Sequence, residues 1–264
     1  MLKVQRLGPR ELGCRFDYET AHYRVTTDIS AEATKRYGDN LEAAWRHYAA
    51  SFKGPPPIPG AKPRVSIFMT AENYYTYFEL LSEDRGQNTL GVFWPGLNEL
   101  VLFEKAGDLG DTNHTLYHEA VHQFMTLLTN RTPPFWYNEG IAEYMGAIEV
   151  RDGKVTKKGL ILERLPYAQL AIEVKADLTF DKIMNETPRE FYSGNVGLKY
   201  AQAWSMIHFF YEFEGGKHRP LIERYFQLLR EGRTPRECFD DVFKGKAEKL
   251  QEEWRGFTKG LKLG

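Results

Sequence analysis

Cysteine is scarce in this sequence: its 264 residues include only Cys14 and Cys238, at opposite ends of the chain. Two cysteines exclude a disulfide framework and a zinc site built from cysteine ligands. They can form one disulfide only if the two ends of the chain meet, which the sequence leaves open.

Long apolar runs and an excess of charge of either sign are also lacking. No apolar run approaches the roughly 18 residues that a membrane-spanning helix needs. With 35 Lys and Arg against 36 Asp and Glu, the formal net charge is -1. We therefore expect neither nucleic acid nor a membrane as a partner. Internal repeats and low-complexity tracts are absent as well.

The beginning of the chain gives a limited indication of location. Its first residues, MLKVQRLGPRELGC, lack the apolar segment of a secretory signal. The sequence predicts a cytoplasmic protein if Met1 is the natural start, and an exported protein is the alternative if the chain is a fragment. It predicts nothing about the oligomeric state.

Apolar residues make up 42% of the chain and aromatic residues 14%, which is enough for a sizeable core. Alternating and helical spacings predict the elements of the first part: a strand at 23–27, a helix at 31–52, a strand at 64–70, a helix at 71–82 and a hairpin of 91–94 with 98–104. Helices dominate afterwards, at 113–130, 136–148, 164–175, 199–213, 217–231 and 246–259. A hairpin with its turn at Asp152-Gly153 interrupts them.

This order of elements is typical of an α+β fold. We expect a small N-terminal mixed sheet with helices, a mainly helical C-terminal half and an active cleft between them. The length is compatible with a single domain spanning 1–264, with an α+β lobe at about 14–130 and a helical lobe at about 131–264.

The clearest chemistry lies in residues 114–144, which read HTLYHEAVHQFMTLLTNRTPPFWYNEGIAEY. His118, Glu119 and His122 form an H-E-x-x-H motif. Positions i and i+4 of an α-helix share a face, so the two imidazoles can bind one metal ion while Glu119 faces a water molecule there. Sixteen residues separate His122 from Glu139. Glu139 can complete a His₂Glu set with an open fourth position, the ligand set of a catalytic zinc.

Two other interpretations of this stretch compete with the His₂Glu site. One is an ordinary amphipathic helix with a solvated His and Glu face, which the downstream Glu139 makes less attractive. The other is an all-His site that includes His114. The helix rise of 1.5 Å per residue puts His114 about 12 Å from His122 along the axis, whereas zinc–nitrogen bonds measure only about 2.0–2.1 Å. His114 is therefore not the third ligand.

Further side chains are candidates for supporting roles. Glu143 follows Glu139 by four residues and shares its helix face. Zinc-bound His usually donates its other ring N–H to a carboxylate, so we expect Glu143 to support His118, with a solvated carboxylate as the alternative. For the oxyanion that forms during hydrolysis, Tyr200 is the candidate donor, with Tyr192 and His208 as alternatives.

At HEAVH…WYNEGIAEY the sequence resembles the gluzincin metallopeptidases, the superfamily of thermolysin and the zinc aminopeptidases, and among them the bacterial peptidase MA-like group. The resemblance implies a zincin-like fold and one Zn²⁺ per chain. It also implies His118, His122 and Glu139 as ligands and Glu119 as the general base. Glu143 matches the acidic residue that supports the first His in thermolysin-like enzymes.

The resemblance is specific over 118–144, and one family feature is missing. Aminopeptidases of this superfamily carry a G-x-M-E-N strand whose Glu holds the substrate's amine, whereas the equivalent stretch here reads GVFWPG. In this superfamily the edge strand before the active helix usually binds the substrate backbone. The expected substrate-binding residues are accordingly Gly91, Val92, Phe93 and Trp94.

The sequence thus predicts a zinc-dependent metallopeptidase that hydrolyses a peptide or protein substrate through a zinc-activated water. One alternative is a non-catalytic peptide- or protein-binding module that retains a metallopeptidase fold. Another is a zinc amidase acting on cell-wall peptides. The presence of Glu119 argues against the binding module, because a degenerate site would be expected to lose its base first.

Overall fold

The computed structural model describes residues 8–58, 60–82, 89–158, 161 and 163–262. It has the predicted α+β fold, with a mixed sheet in the N-terminal part and mainly helices in the C-terminal half. The first seven residues, on which the expected lack of an export signal partly depends, lie outside this set. Within it, no helix combines the length and the apolar character that crossing a membrane requires.

The chain divides into two compact units. The first comprises Met1–Leu128 with Met145–Lys158, and the second comprises Thr129–Tyr144 with Gly159–Gly264. The sequence predicted one change of lobe near residue 130, whereas residues 145–158 here belong to the first unit. The single-domain organisation stays a prediction.

A mixed sheet forms the base of the first unit. Its strands are β1 (Phe16–Glu19), β2 (Arg24–Thr27), β3 (Arg64–Phe68), β4 (Gly91–Trp94) and β5 (Glu99–Phe103). They lie in the order β1-β2-β3-β5-β4, with β2, β3 and β5 parallel and the two outer strands antiparallel to their neighbours. The predicted strands are confirmed, and β1 is a strand that the sequence analysis missed.

Three helices pack on this sheet: α1 (Ala31–Ser51), α2 (Ala71–Leu81) and α3 (Leu109–Thr129). α2 covers one face in a cluster of buried residues made of Cys14, Phe68, Tyr74, Tyr77, Phe78 and Val101. α3 covers the opposite face, where a Cβ added to Gly91 would lie 2.8 Å from Cγ2 of Thr115. α1 packs against α3, with the ring centroids of Trp45 and Phe124 separated by 4.9 Å.

The predicted hairpin is confirmed as β6 (Ile148–Arg151) and β7 (Lys154–Lys158). Its turn residues have positive φ angles, 49° at Asp152 and 68° at Gly153. Two adjacent left-handed residues are the mark of a type I′ turn, which matches the twist of the flanking strands. The guanidinium of Arg46 donates to the carbonyl of Gly153 at 2.7 Å, which attaches the hairpin to α1.

The second unit is helical in its described residues. Its helices are α4 (Phe135–Gly146, of which the last two residues belong to the first unit), α5 (Arg164–Glu173), α6 (Phe180–Met184), α7 (Pro188–Phe191), α8 (Val196–Glu212), α9 (Arg219–Arg230), α10 (Pro235–Val242) and α11 (Ala247–Gly260). The five helices predicted here are confirmed, while α6, α7 and α10 were missed. α7 and α10 both begin at the sequence Thr-Pro-Arg-Glu, whose Thr and Glu form a capping box.

α8 runs through the core of the second unit, and α4 lies directly against it. A Cβ added to Gly140 would lie 2.6 Å from the carbonyl oxygen of Ala203 and 2.9 Å from Cγ1 of Ile207. A glycine is therefore needed where the two helices meet. This close contact determines the position of α4, including the neighbouring residue Glu139.

The two cysteines, Cys14 and Cys238, are free and buried. Burial raises the pKa of the Cys14 thiol to about 12 and that of the Cys238 thiol to about 11. Since the thiolate is the reactive form, both are inert at neutral pH and contribute packing only.

We expect Gly140→Ala to lower the free energy of unfolding by about 1–3 kcal/mol, because the added methyl group overpacks the contact between α4 and α8. Gly256→Ala on α11 is the matched control, since nothing lies within 4 Å of its added Cβ. There the better helix propensity of Ala should raise stability by about 0.5–1 kcal/mol. Urea denaturation measures both changes, and effects of the same sign would contradict the tight contact.

Candidate metal centre

Helix α3 carries the H-E-x-x-H motif in the middle of its 21 residues. The helix begins after Asp108, whose carboxylate accepts a hydrogen bond from the N–H of Asp111 at 3.0 Å. This N-cap starts the helix four residues before the predicted position 113. The motif therefore has regular helical turns on both sides, which fix its backbone.

The two histidines of the motif face each other. The Nε2 atoms of His118 and His122 are 3.0 Å apart, and the rings are nearly perpendicular, at 83°. Tetrahedral coordination with zinc–nitrogen bonds of about 2.0–2.1 Å places two ligand atoms about 3.3 Å apart. The observed distance between the two Nε2 atoms is close to this value.

His118, His122 and Glu139 form a possible metal-binding triad. Each offers one ligand atom, and these atoms all lie within 4.8 Å of one another. The structure thus brings together the three predicted ligands. Two imidazole nitrogens and one carboxylate oxygen suit zinc and also other divalent transition metals. The donor set therefore fits a divalent metal ion.

His118 has a close backbone neighbour in Gly146, the last residue of α4. A Cβ at this position would lie 3.1 Å from the backbone nitrogen of His118 and 3.2 Å from its Cα. Distances this short between a Cβ atom and a neighbouring atom are rare in proteins. A larger residue at position 146 would therefore displace the backbone of His118. Gly146 thereby helps to set where the imidazole of His118 lies.

Glu139 is almost fully buried, at 4% exposure, and receives a hydrogen bond from Tyr192. The hydroxyl of Tyr192 donates to Oε1 of Glu139 at 3.0 Å. Tyr192 directly follows α7, and its ring packs edge-on against Phe135 with centroids 5.0 Å apart. The missed helix α7 is thus the element that presents Tyr192 to Glu139.

The two other oxyanion candidates have different surroundings. Burial, and next the negative charge of Glu139, raise the pKa of Tyr200 far above its ordinary value, so its phenol keeps its proton at neutral pH. His208 stacks with Phe257 at 5.5 Å between ring centroids and lies beside Trp204, and burial lowers its pKa. Tyr200 and Tyr192 therefore neighbour Glu139, while the ring contacts described for His208 are with other aromatic residues of the second unit.

Glu143, one turn after Glu139, forms an ion pair that the sequence analysis missed. A guanidinium nitrogen of Arg164 donates to Oε1 of Glu143 at 2.7 Å, and the Glu143 side chain is only 3% exposed. The same guanidinium lies over the ring of Tyr200, 5.2 Å from its centroid. Arg164 is the first residue of α5, and nothing in the local sequence pattern singles it out. The support of His118 by Glu143 stays a prediction.

Glu119 is half-buried on α3. Burial and, to a smaller extent, the charge of Glu119 raise the pKa of Tyr74. The hydroxyl of Tyr74 is 2.9 Å from Oγ1 of Thr89, which closely precedes β4. The helix that carries Glu119 also contacts the predicted substrate edge directly, because Thr115 on α3 lies against Gly91.

β4 is the outermost strand on its side of the sheet. It pairs antiparallel with β5, and no strand in the described part of the chain pairs with its other edge. Val92 and Trp94 pack against the cluster beneath α2, and Gly91 lies against α3. The residues predicted to bind a substrate backbone, Gly91–Trp94, thus form the outermost strand on this side among the described residues, as binding by strand addition would require.

Comparison with known families gave one match. A family model described as "Protein of unknown function (DUF1570)" matches residues 112–223, which include the metal-binding triad, Arg164, Tyr192 and Tyr200. This match covers less than half of the chain. No curated protein matches the sequence.

We expect Gly146→Ala to weaken the binding of Zn²⁺ about tenfold, because the methyl group displaces the backbone of His118 at a cost of about 1–3 kcal/mol. Gly110→Ala in the first turn of α3 is the control, since its added Cβ has its nearest neighbour at an ordinary 3.5 Å. Competition with a chromophoric chelator gives both affinities. Unchanged binding by Gly146→Ala would show that His118 does not depend on this contact.

Proposed function

We propose that this protein is a zinc-dependent metallopeptidase of the gluzincin type, which hydrolyses peptide bonds with water as the nucleophile. The observation that carries the proposal is the triad of His118, His122 and Glu139, whose ligand atoms lie within 4.8 Å of one another. A set of three protein ligands leaves one coordination position open, as catalytic zinc requires.

A zinc ion held by this triad would supply Lewis acidity, which activates a water molecule and polarises the substrate carbonyl. Glu119 adjoins His118 in sequence and is partly accessible. Its carboxylate can accept a proton from the attacking water and deliver it to the leaving amine as the C–N bond breaks. The residue is restored to its starting state after each turnover.

The developing oxyanion needs a neutral donor close to Glu139, and two tyrosines qualify. Tyr192 is 47% exposed, and its hydroxyl can meet a substrate once its single proton turns from Glu139, to which it donates at 3.0 Å, towards the oxyanion. Tyr200 is more buried and lies beneath the guanidinium of Arg164. We therefore assign the donor role to Tyr192 and a supporting role to Tyr200, although the sequence favoured Tyr200.

The edge strand β4 supports a peptide or protein as substrate. Extended peptides commonly bind by adding a strand to an exposed sheet edge. Gly91 of this strand lies against Thr115 on α3, the helix that carries Glu119. A peptide paired with Gly91–Trp94 would have its backbone fixed and its side chains alternating in direction.

The first test combines metal analysis with cleavage of a mixed peptide library. We expect one zinc per chain in the wild type and none in Glu139→Ala, which lacks a ligand. Glu119→Gln should keep its zinc but lose a factor of about 10²–10⁴ in kcat, because the general base is gone. Glu173→Gln, an exposed carboxylate at the end of α5, is the control and should match the wild type.

The outcomes separate the alternatives. Stoichiometric zinc with cleavage of cell-wall peptides but of no library member would identify the amidase. Zinc without hydrolysis of either substrate class would identify the binding module. A wild-type protein that binds no zinc would refute the ligand set and the mechanism together.

A second test compares Tyr192→Phe with Tyr200→Phe. Loss of the oxyanion donor should lower kcat by about 10²–10³ with little change in KM, because the hydrogen bond forms in the transition state. We expect this loss in Tyr192→Phe and a smaller one in Tyr200→Phe. Steady-state kinetics on a cleaved library peptide measures both, and the reverse order would return the role to Tyr200.

A further inference from the structure

We propose that Arg164 is a positioning residue for the metal centre, holding Glu143 and Tyr200 in place beside Glu139. The proposal rests on the metal site of the proposed function but not on the identity of the substrate. It concerns a contact between three helices of the second unit: α4 carries Glu143, α5 carries Arg164 and α8 carries Tyr200.

The location of Arg164 is unfavourable for the helix that carries it. Arg164 is the first residue of α5, and the preceding Glu163 makes no side-chain capping bond. The N-terminal end of a helix has a partial positive charge, so a cation there is repelled. The side chain is also 30% exposed, which removes much of its hydration. The stability of α5 does not explain why an arginine is found at this position. The explanation must be the contacts that Arg164 makes with residues outside α5.

Arg164 makes two contacts with one planar group. One edge of the guanidinium donates to Oε1 of Glu143 at 2.7 Å, and its face lies 5.2 Å from the centre of the Tyr200 ring. A planar guanidinium can bind a carboxylate and stack on an aromatic ring at once, which the point charge of lysine cannot do.

Both partners of Arg164 lie close to the carboxylate ligand. Glu143 lies one turn after Glu139 on the same face of α4. Tyr200 packs against Phe191, with ring centroids 5.8 Å apart, and the next residue, Tyr192, donates to Glu139. With Oε1 held by Arg164, Glu143 is kept from turning towards the metal in competition with Glu139. Loss of Arg164 therefore removes the ion pair of a second buried carboxylate near the ligand and the cation over the ring of Tyr200.

The test measures zinc affinity rather than turnover. We expect Arg164→Gln to bind Zn²⁺ at least about tenfold more weakly. Removal of residues that hydrogen-bond to metal ligands typically lowers metal affinity by about this factor. Because part of this loss acts through Glu143, Arg164→Gln should weaken binding less in a Glu143→Gln background than in the wild type. The visible absorption of the cobalt-substituted protein should also change in Arg164→Gln, because it reports the geometry of the ligands.

Arg255→Gln is the matched control for a purely structural role. Arg255 pairs with Asp177 at 2.8 Å in the same unit, and the side-chain exposures of 32% and 2% resemble the 30% and 3% of Arg164 and Glu143. Breaking either pair leaves a buried carboxylate without its arginine, so both variants should have a lower Tm. Only Arg164→Gln should lose zinc affinity and change the cobalt spectrum.

Wild-type affinity in Arg164→Gln, or an equal loss in Arg255→Gln, would overturn the proposal. If Arg164→Gln does not fold, Arg164→Lys replaces it, because lysine keeps the charge but lacks the planar group. A several-fold loss of zinc affinity in Arg164→Lys supports the proposal, and an unchanged affinity overturns it.

The zinc affinity of the wild type is measured first, so that failure of the metal centre and failure of the positioning role are distinguishable. A wild type without zinc refutes the metal centre and this proposal with it, whereas a zinc-binding wild type with an unaffected Arg164→Gln refutes the positioning role alone.

Discussion

The position of Glu139 depends on the close contact between α4 and α8. At Gly140 the backbone carbonyl of Ala203 occupies the space where a side chain would begin, 2.6 Å from an ideal Cβ. A binding or catalytic group needs to be held to within about 0.5 Å of its productive position. Helix contacts made through glycine provide such control, because backbone meets backbone with no flexible side chain between them. The candidate metal centre therefore requires dense packing in the helical unit.

The two buried carboxylates of α4 need partners that compensate their charge. Glu139 and Glu143 are both buried on one face of this helix, and buried carboxylates are costly unless they are paired or hydrogen-bonded. Arg164 pairs with Glu143, and Tyr192 donates to Glu139. A helix that only stabilised the fold would carry apolar residues at these positions. The arrangement is that of a site maintained at the expense of stability, which is common where a protein binds or transforms a ligand.

The sequence predicts what depends on local spacing and misses what depends on tertiary contacts. The H-E-x-x-H pair follows from helix periodicity alone, as do the long amphipathic helices. Strand β1 has four residues without buried alternation, so no pattern indicates it. The starts of α7 and α10 were detectable, because Thr187 and Thr234 each begin a Thr-Pro-Arg-Glu capping box. The pair of Arg164 with Glu143 joins two helices across 21 residues, and no local rule encodes that contact.

The short length of the edge strand β4 would limit what it could recognise in the proposed role. In an antiparallel pair, alternate residues direct their N–H and C=O groups to the neighbouring strand. Of the four residues Gly91–Trp94, only two then direct these groups outward. Backbone groups are the same in every amino acid, so an added strand would be recognised there by its extended shape and not by its composition. A folded domain hides its backbone, whereas a loosened loop or an unfolded segment exposes it. At this edge, the conformational state of a polypeptide would decide whether it is bound.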